Sequence, residues 1–422
     1  MDKLKLKSIL LDQKESFNSR KEKLIGREVP LDGYIKTSQV VIISGIRRCG
    51  KSSLLYLIKE KMQLAQEDYL YFNFDDERIS ATDNILDLLF NLHIEIYGNK
   101  PIIFFDEIQN IKGWEKFINR IYEQGIKIFV TGSNANLLSS EISTSLTGRN
   151  KVIVLYPFSF KEYLNLNKLD FDIDSLTSSK AAIIKKFFNS YFEKGGFPLV
   201  DIEEDIELID AYFKDILYRD IIAKYNLTQV DEIKQIGIYF AGNVGKLFSY
   251  SSLQKITGVK SLSSIKSYLE YYAQSYLFFY LKKYDFSVSK QILNPKKVYT
   301  VDQGIASRIG FNFSENKGRI LENIVFLELL RRGKEVYYYS DKKECDFVIK
   351  KATKIIEAIQ VCFLINKDNE EREYSGLSEA ISSYELGKGK ILTYDQEYNF
   401  KMESKEIEVL PVWKWLLEDR NN

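Results

Sequence analysis

Residues 40–53 read VVIISGIRRCGKSS, and this stretch decides how the first part of the chain is interpreted. Four apolar residues at its start predict a short buried strand, and the LLYLIKEKM that follows has helical spacing. The spacing G-x-x-x-x-G-K-S between them is typical of a loop whose backbone N–H groups, lysine and serine hydroxyl bind phosphates and Mg²⁺. A plain glycine turn is the alternative. The residues expected to bind a nucleotide are Gly45, Arg48, Cys49, Gly50, Lys51, Ser52 and Ser53.

The composition is that of a folded protein with several domains. The chain has 422 residues, of which 45% are hydrophobic and 28% are charged. Sixty basic residues balance 59 acidic ones, so the net charge of +1 neither favours nor excludes a nucleic-acid partner. Three cysteines without a pairing pattern suggest a reducing compartment, and no run approaches the roughly 20 apolar residues of a membrane helix. We therefore expect a soluble, cytoplasmic protein with no membrane partner.

A second apolar run ends in two carboxylates. KPIIFFDEIQNI contains four apolar residues that predict a strand with Asp106 and Glu107 at its tip. After a complete phosphate loop, this pattern predicts that Asp106 joins Ser52 on Mg²⁺ and that Glu107 activates the attacking water. A further predicted strand, IKIFVT, leads to Ser133 and Asn134, where a polar side chain would reach the γ-phosphate or the water.

In this order, the phosphate loop, the DE strand end and the TGSN strand end resemble an AAA+ ATPase. The chain is similar to a prokaryotic branch close to the STAND signalling ATPases and the archaeal ATPases, whose members carry a C-terminal domain of unknown function. The resemblance implies ATP and Mg²⁺ as cofactors. It also implies that Arg149 acts on the γ-phosphate, and that Gly196 and Pro198 lie near the adenine. The alternatives are a surface salt bridge for Arg149 and an ordinary turn for the GGFP segment.

The predicted fold class is α/β, with four domains. They are a P-loop NTPase (AAA+-like) core at 1–165, a helical lid at 166–232, a winged-helix domain at 233–313 and a C-terminal α/β nuclease-like domain at 314–422.

The winged-helix assignment comes from three predicted helices, the last of them SLSSIKSYLEYYAQSYLFFYLKKY, and a two-stranded wing in FSVSKQILNPKKVYTVD. Short polar and basic side chains on the third helix and the wing are suited to DNA. A winged helix used only for protein packing is the alternative. The predicted DNA contacts are Ser263, Ser264, Lys266, Lys282 and Lys283, and Lys290, Lys296 and Lys297 also line the predicted wing.

The C-terminal stretches RILENIVFLELLRRG, CDFVIKK and KIIEAIQVCF resemble the PD-(D/E)XK nuclease core. Residue by residue, the resemblance implies that Glu322, Asp346 and Gln360 form a metal site. Cys362 stands where the lysine that activates water should be, and a thiol is a poor substitute for an ammonium group. We therefore expect a nuclease-like fold in which cleavage is lost or very weak. A plain α/β packing domain is the alternative.

Together these patterns predict an Mg²⁺-dependent ATPase with Lys51, Glu107, Asn134 and Arg149 in catalytic roles. The first hypothesis is that it acts on duplex or branched DNA. The alternative is a STAND-type nucleotide-gated switch that binds a protein partner. A homo-oligomer is compatible with both, because Arg149 could serve a neighbouring chain.

Overall fold

The computed structural model divides the chain into two compact units, residues 1–156 and residues 157–422. None of the helices in the described ranges combines the length and the apolar character needed to cross a lipid bilayer. The described residues are 2–19, 24–79, 84–135, 146, 148–169, 171, 175–310, 317–402 and 405–419.

The first unit contains a five-stranded parallel sheet with the strand order β2-β3-β4-β1-β5. Strands β1 to β4 are short, mostly apolar runs that are buried on both faces, as expected for a parallel sheet covered by helices, whereas the edge strand β5 is only partly buried. Because all the strands run in one direction, the segments that follow β1, β3 and β4 meet at one edge. The strands are β1 Val40–Ser44, β2 Tyr69–Asn73, β3 Ile102–Asp106, β4 Ile128–Gly132 and β5 Asn150–Val154.

Within the described ranges, five α-helices accompany this sheet. Apolar side chains of the first, fourth and fifth helices pack with β1, β2, β3 and β4 in one core cluster, which includes Leu10, Leu89 and Ile118. The third helix starts directly after the predicted phosphate loop. The helices are α1 Lys3–Asn18, α2 Leu31–Lys36, α3 Lys51–Lys61, α4 Ile85–Tyr97 and α5 Trp114–Tyr122.

The second unit begins with a helical segment. Ser159 and Glu162 form a capping box that fixes the start of its first helix. The fourth helix continues as a π-helix over Ile216–Ala223. The helices are α6 Phe160–Leu166, α7 Ser178–Lys194, α8 Pro198–Ile202 and α9 Leu208–Asp215.

Next come three helices and a three-stranded antiparallel sheet with the order β6-β8-β7. A short helix lies between β7 and β8, and another follows β8. In chain order the elements are α10 Val230–Ala241, β6 Leu247–Phe248, α11 Tyr250–Thr257, α12 Leu262–Gln274, β7 Phe278–Lys282, α13 Val288–Leu293, β8 Lys296–Thr300 and α14 Gln303–Ile309.

Two expectations for this segment are wrong in detail. The third helix ends at Gln274 instead of continuing through LFFYLKKY, because Tyr276 takes a positive φ of 62° and the aromatic FFYLK forms β7. The predicted two-stranded wing holds only one strand, β8, since its first half forms α13. The partners of β8 are therefore β7 and β6.

The C-terminal part is a six-stranded mixed sheet with the order β13-β14-β12-β11-β10-β9. Strands β9, β10 and β11 are antiparallel, while β11, β12 and β14 are parallel. The long helix before β9 and the helix after β11 pack in separate clusters on the apolar sides of this sheet. The elements are α15 Lys317–Arg331, β9 Glu335–Ser340, β10 Glu344–Lys351, β11 Lys354–Cys362, α16 Glu370–Ser383, β12 Lys388–Thr393, β13 Tyr398–Met402, β14 Lys405–Pro411 and α17 Val412–Trp415.

The division at residue 156 comes before the predicted end of the ATPase core at 165, so α6 lies in the second unit. The segments predicted as lid, winged helix and nuclease-like domain share that second unit. Their separation into individual domains stays a prediction.

Candidate nucleotide site and a buried carboxylate cluster

The predicted phosphate loop connects β1 to α3. A side chain at Gly45, where φ is 157°, would place its Cβ 2.1 Å from the backbone oxygen of Leu155, so only glycine lets the loop approach β5 this closely. Gly50 has a φ of 97° and directly precedes α3. Lys51 is buried, and its Nζ donates to the backbone oxygen of Ile46 at 3.2 Å. The loop is therefore a backbone cradle that ends at a helix N-terminus, which suits an anion.

Asp106 lies fully buried at the end of β3. The Thr131 hydroxyl donates to its Oδ1, the Tyr71 hydroxyl donates to its Oδ2 at 3.2 Å, and the Ser52 side chain also hydrogen-bonds to it. Burial raises the pKa of Asp106, and the nearby charge of Glu107 adds to this shift. The carboxylate and the Ser52 hydroxyl supply the oxygen ligands that Mg²⁺ prefers beside phosphates, so these residues fit that ion.

Glu107 is held in a left-handed backbone conformation with a φ of 53°, which is costly for a residue other than glycine. Its backbone N–H donates to Thr131 Oγ1 at 3.0 Å, and Gln109 Nε2 donates to its Oε2 at 2.6 Å. Burial opposes ionisation, but the Lys51 ammonium, 3.5 Å from Oε1, and the Gln109 amide outweigh it and lower the pKa of Glu107. Glu107 is thus a negatively charged acceptor beside the phosphate lysine.

Three residues of this site carry no sequence prediction. The Thr131 hydroxyl donates to Asp106 and accepts from the backbone N–H of Glu107, so it contacts both acidic residues. The Oε1 atom of Gln109 is buried and has no hydrogen-bond partner among the described residues. Arg27 donates to the backbone oxygen of Cys49 at 2.8 Å and to that of Tyr156 at 2.7 Å, so it braces the loop from outside. Thr131 and Gln109 could have been found from the sequence, because each lies two residues from a predicted site residue, Ser133 and Glu107. Nothing in the sequence around Arg27 marks it as part of the site.

The structure brings Ser133 and Asn134 to the same edge. Both are buried after β4, and the Ser133 hydroxyl lies 3.5 Å from Gln109 Nε2. The backbone oxygen of Asn134 accepts a hydrogen bond from the Ser44 hydroxyl at 3.2 Å. The roles of both side chains toward a γ-phosphate stay predictions.

Arg149 is not brought to the loop of its own chain. It precedes β5, and its backbone oxygen accepts from the N–H of Val40 at 2.9 Å, so it lies at the opposite edge of the sheet from the phosphate loop. Its guanidinium donates to Asn119 Oδ1 at 2.5 Å and to Glu123 Oε1 at 3.0 Å. The surface salt bridge is therefore the interpretation that the geometry supports, and only a role in a neighbouring chain stays a prediction.

Gly196 and Pro198 belong to the second unit. Glycine is required at 196 because a Cβ would lie 2.3 Å from the backbone oxygen of Phe158. The Gly196 N–H donates to Asp302 Oδ2 at 2.7 Å, and Pro198 is the first residue of α8, where proline is favoured. These contacts give both residues a packing role, and their proposed proximity to adenine stays a prediction.

The predicted DNA contacts lie on accessible parts of α12 and β7. Ser263 and Lys266 are exposed near the start of α12, and Ser264 is partly buried. Lys282 is exposed at the end of β7, while Lys283 is partly buried.

Lys297 corrects the prediction for the wing. Its side chain is 2% exposed, so it cannot reach DNA phosphates from this position. The Nζ lies 3.0 Å from Glu322 Oε1, 2.8 Å from Asp346 Oδ1 and 2.8 Å from Glu344 Oε1. The Tyr299 hydroxyl also donates to Glu322 Oε1, at 2.6 Å.

The three residues matched to a nuclease metal site do come together in space. Asp346 Oδ2 accepts from the N–H of Val361 at 3.0 Å, and the N–H of Asp346 donates to Gln360 Oε1 at 3.2 Å. Gln360 Nε2 donates to Glu373 Oε2 at 2.7 Å. Cys362 follows on β11, and burial raises the pKa of its thiol to about 11, so it stays neutral.

These residues do not fit a divalent cation as they are arranged. The ammonium of Lys297 already lies among the carboxylates that would hold the ion. Within the described ranges, no group of three or more His, Cys, Asp and Glu side chains is placed to bind a metal.

The parallel sheet, the glycine-bounded loop between β1 and α3, and the carboxylates at the end of β3 define a P-loop NTPase core. In agreement, residues 37–164 match the family model described as AAA domain. Residues 185–316 and 317–415 match two models described as domains of unknown function, DUF8612 and DUF4143. The nucleotide core is therefore of the AAA type, and the second unit has no function assigned by its family models.

The chain belongs to one family with two uncharacterized proteins that it matches over nearly their full length. It is 36% identical to protein MJ1544 of Methanocaldococcus jannaschii, with 98% of this chain and 96% of that protein covered. It is 32% identical to a protein of Haemophilus influenzae, with 94% and 99% covered.

Solved structures are similar at a much lower level. The Thermotoga maritima RuvB Holliday junction branch migration motor has a TM-score of 0.28 and 17% identity, and covers 66% of this chain and 87% of its own. The Aeropyrum pernix ORC1 protein in complex with DNA has a TM-score of 0.32 and 12% identity, and covers 69% and 93%. Likenesses at this level carry no argument about ligands.

Proposed function

We propose that the chain binds and hydrolyses ATP at the end of β1 and β3. The single observation that carries this proposal is the placement of Lys51, Glu107 and Asp106 around one phosphate loop, with Lys51 Nζ 3.5 Å from Glu107 Oε1. Lys51 and the loop N–H groups bind the phosphates, while Ser52 and Asp106 are the oxygen ligands available to Mg²⁺. When bound, the ion supplies positive charge that offsets the charge on the phosphates.

Glu107 is the residue that orients and deprotonates the attacking water. Its lowered pKa keeps it ionised at neutral pH, and its backbone strain and the Gln109 hydrogen bond fix the direction of its carboxylate. The neighbouring Ser133 and Asn134 offer further polar contacts to the water or the γ-phosphate. Because catalysis of this kind is mostly positioning and charge neutralisation, loss of one part should be severe.

We further propose that the second unit binds duplex or branched DNA. The order of α10, β6, α11, α12, β7 and β8, with an antiparallel β6-β8-β7 sheet, supports a winged helix in which α12 enters a groove. Ser263 and Lys266 near the start of α12 and Lys282 at the end of β7 are exposed and able to contact the phosphate backbone. A cytoplasmic location and a homo-oligomer, in which Arg149 serves a neighbouring chain, belong to the same proposal.

The second candidate is a nucleotide-gated switch that binds a protein. It is favoured by a cluster of exposed apolar side chains at α13, where Phe286 is 86% exposed and Leu293 is 82% exposed. Exposed apolar patches on folded proteins commonly mark interaction sites.

The test is ATP hydrolysis by the purified protein alone, with duplex DNA and with a four-way junction, at low and moderate salt. We expect Lys51→Ala to lose nucleotide binding, whereas Glu15→Gln, on the exposed side of α1, should behave as wild type. Stimulation by DNA that fades with salt supports the DNA-acting ATPase. Slow hydrolysis that is indifferent to DNA supports the switch, and absence of hydrolysis under all conditions overturns the ATPase proposal.

Lysine variants test the proposed DNA-binding surface on α12 and β7. The double variant Lys266→Ala/Lys282→Ala should lose the DNA stimulation and keep the basal rate, because neither residue belongs to the first unit. Lys180→Ala, which removes an exposed lysine of α7, is the matched control. Equal stimulation in both variants would exclude α12 and β7 as the DNA-binding surface.

A further inference from the structure

The carboxylate cluster of the second unit, formed by Glu322, Glu344 and Asp346, already contains a cation. An ammonium group has three N–H donors, and the one on Lys297 has three carboxylate oxygens within 3.0 Å. The side chain of Lys297 is almost completely buried, so water does not compete for these donors. Lys297 therefore hydrogen-bonds to Glu322 and Asp346 and lies at ion-pair distance from Glu344.

The position of Lys297 is fixed by its strand. Its backbone pairs with Leu247 of β6 and with Leu281 of β7, so it occupies the central strand of its sheet. A central strand cannot shift without breaking the ladder on both sides. Withdrawal of the ammonium would also leave Glu322 and Asp346 buried without a counter-charge, which is strongly unfavourable.

Other polar atoms beside Lys297 are hydrogen-bonded as well. Asp346 Oδ2 accepts from the N–H of Val361, and Gln360 uses its amide oxygen on Asp346 and its amide nitrogen on Glu373. Burial and the charge of Asp346 raise the pKa of Glu322 to about 7, as expected where one cation faces three carboxyl groups. A divalent ion would thus have to displace Lys297 and break an established network.

We propose that Lys297 takes the place of a divalent metal ion in this site, and that the site locks the β6-β8-β7 sheet to the C-terminal α/β segment instead of cleaving DNA. The neutral thiol of Cys362, in the position of the water-activating lysine, agrees with a site that has no hydrolytic role. The inference concerns the second unit only, and it holds whether or not the first unit hydrolyses ATP.

The test is Mn²⁺ binding to the full-length, nucleotide-free protein by isothermal titration calorimetry. Wild type should show no Mn²⁺ site that depends on Asp346, so wild type and Asp346→Asn should give the same titration. Lys297→Met, which keeps the length of the side chain but removes its charge, should gain one Mn²⁺ site. That site should disappear in Lys297→Met/Asp346→Asn.

Lys296→Met is the matched control. Lys296 precedes Lys297 in β8, but its Nζ contacts the Tyr250 hydroxyl and the backbone oxygen of Ile292 and not the cluster, so this variant should gain no site. A melting temperature of Lys297→Met that rises with Mn²⁺, beside an unchanged wild type, gives the same answer if the variant is only partly folded.

Two results would overturn the proposal. One is an Asp346-dependent Mn²⁺ site in wild type, or Mn²⁺-dependent DNA cleavage by wild type that Asp346→Asn abolishes. The other is a folded Lys297→Met that binds no Mn²⁺. If Lys297→Met does not fold with or without Mn²⁺, the comparison of wild type with Asp346→Asn decides alone.

Discussion

Replacing Glu107 by glutamine should tighten ATP binding and slow hydrolysis at the same time. In the nucleotide-free protein, Lys51 Nζ is paired with Glu107 Oε1 at 3.5 Å, and ATP phosphates need the same ammonium. Two unit charges at 3.5 Å attract each other by about 5 kcal/mol at an effective dielectric constant of about 20. If a third of this attraction is lost when phosphates share Lys51, Glu107→Gln binds ATP about tenfold more tightly, since about 1.4 kcal/mol is a factor of ten.

Hydrolysis should change in the opposite direction. A glutamine keeps the shape of the side chain and its contact with Gln109 but cannot accept a proton, so turnover should fall by roughly 10²- to 10⁴-fold. Affinity is measured by displacement of a fluorescent ATP analogue, with Mg²⁺ and with EDTA, and turnover by phosphate release. Glu15→Gln controls for the loss of one carboxylate elsewhere in the unit.

The two readouts separate the possible errors. Weaker ATP binding by Glu107→Gln would refute the idea that Glu107 competes for Lys51. Wild-type turnover in the same variant would refute its role as the base. A protein that binds ATP more tightly and hydrolyses it poorly is the only result that agrees with both steps of the argument.

Three further predictions concern stability, measured by urea unfolding. Thr131→Val should lower the free energy of unfolding by about 2 kcal/mol, because it leaves the Glu107 N–H without its buried partner and removes one of the donors to Asp106, whereas Thr131→Ser should stay near wild type. Burial raises the pKa of Asp302 to about 7, so its neutral form contributes to the free energy of unfolding at low pH, and this contribution is lost as pH rises. Between pH ~5.5 and ~8, the free energy of unfolding of wild type should fall by about 2 kcal/mol more than that of Asp302→Asn. Gly376→Ala, whose Cβ would lie 2.0 Å from the Glu344 backbone oxygen, should lower the free energy of unfolding by about 1–3 kcal/mol. Gly387→Ala has open space around the new Cβ and should leave the free energy of unfolding nearly unchanged.

The positions of the candidate nucleotide-site residues were largely predictable because the sequence patterns that mark them are local. The glycines, Lys51 and Ser52 lie in one short stretch, and Asp106 and Glu107 follow an apolar run whose strand character is plain. Parallel strand ends meet at one edge, so strand assignment alone brought these residues together. Arg27 could not be predicted, since its contacts with the Cys49 and Tyr156 carbonyl groups join irregular segments.

The second unit shows the limit of sequence patterns more sharply. Glu322, Asp346 and Gln360 were matched by resemblance and do cluster, but Lys297 was expected on an exposed wing. If the segment formed an isolated hairpin, the sequence Lys296-Lys297-Val298 would not show which of the two lysines is buried. Only the pairing of β8 between β6 and β7 decides that Lys297 is buried and that Lys296 stays accessible in part.

The alkylation rate of Cys49 can report how often the phosphate loop opens. Cys49 is a residue of the loop, its thiol is buried, and burial raises the pKa of that thiol, so an alkylating reagent reaches it only during a transient opening of that segment. The rate of alkylation therefore depends on how often the loop opens, and no label has to be introduced into the protein to measure it. Cys345 and Cys362 belong to the other unit, and peptide mass spectrometry distinguishes them from Cys49. A nucleotide that closes the loop should slow the modification of Cys49 and leave the other two thiols unchanged.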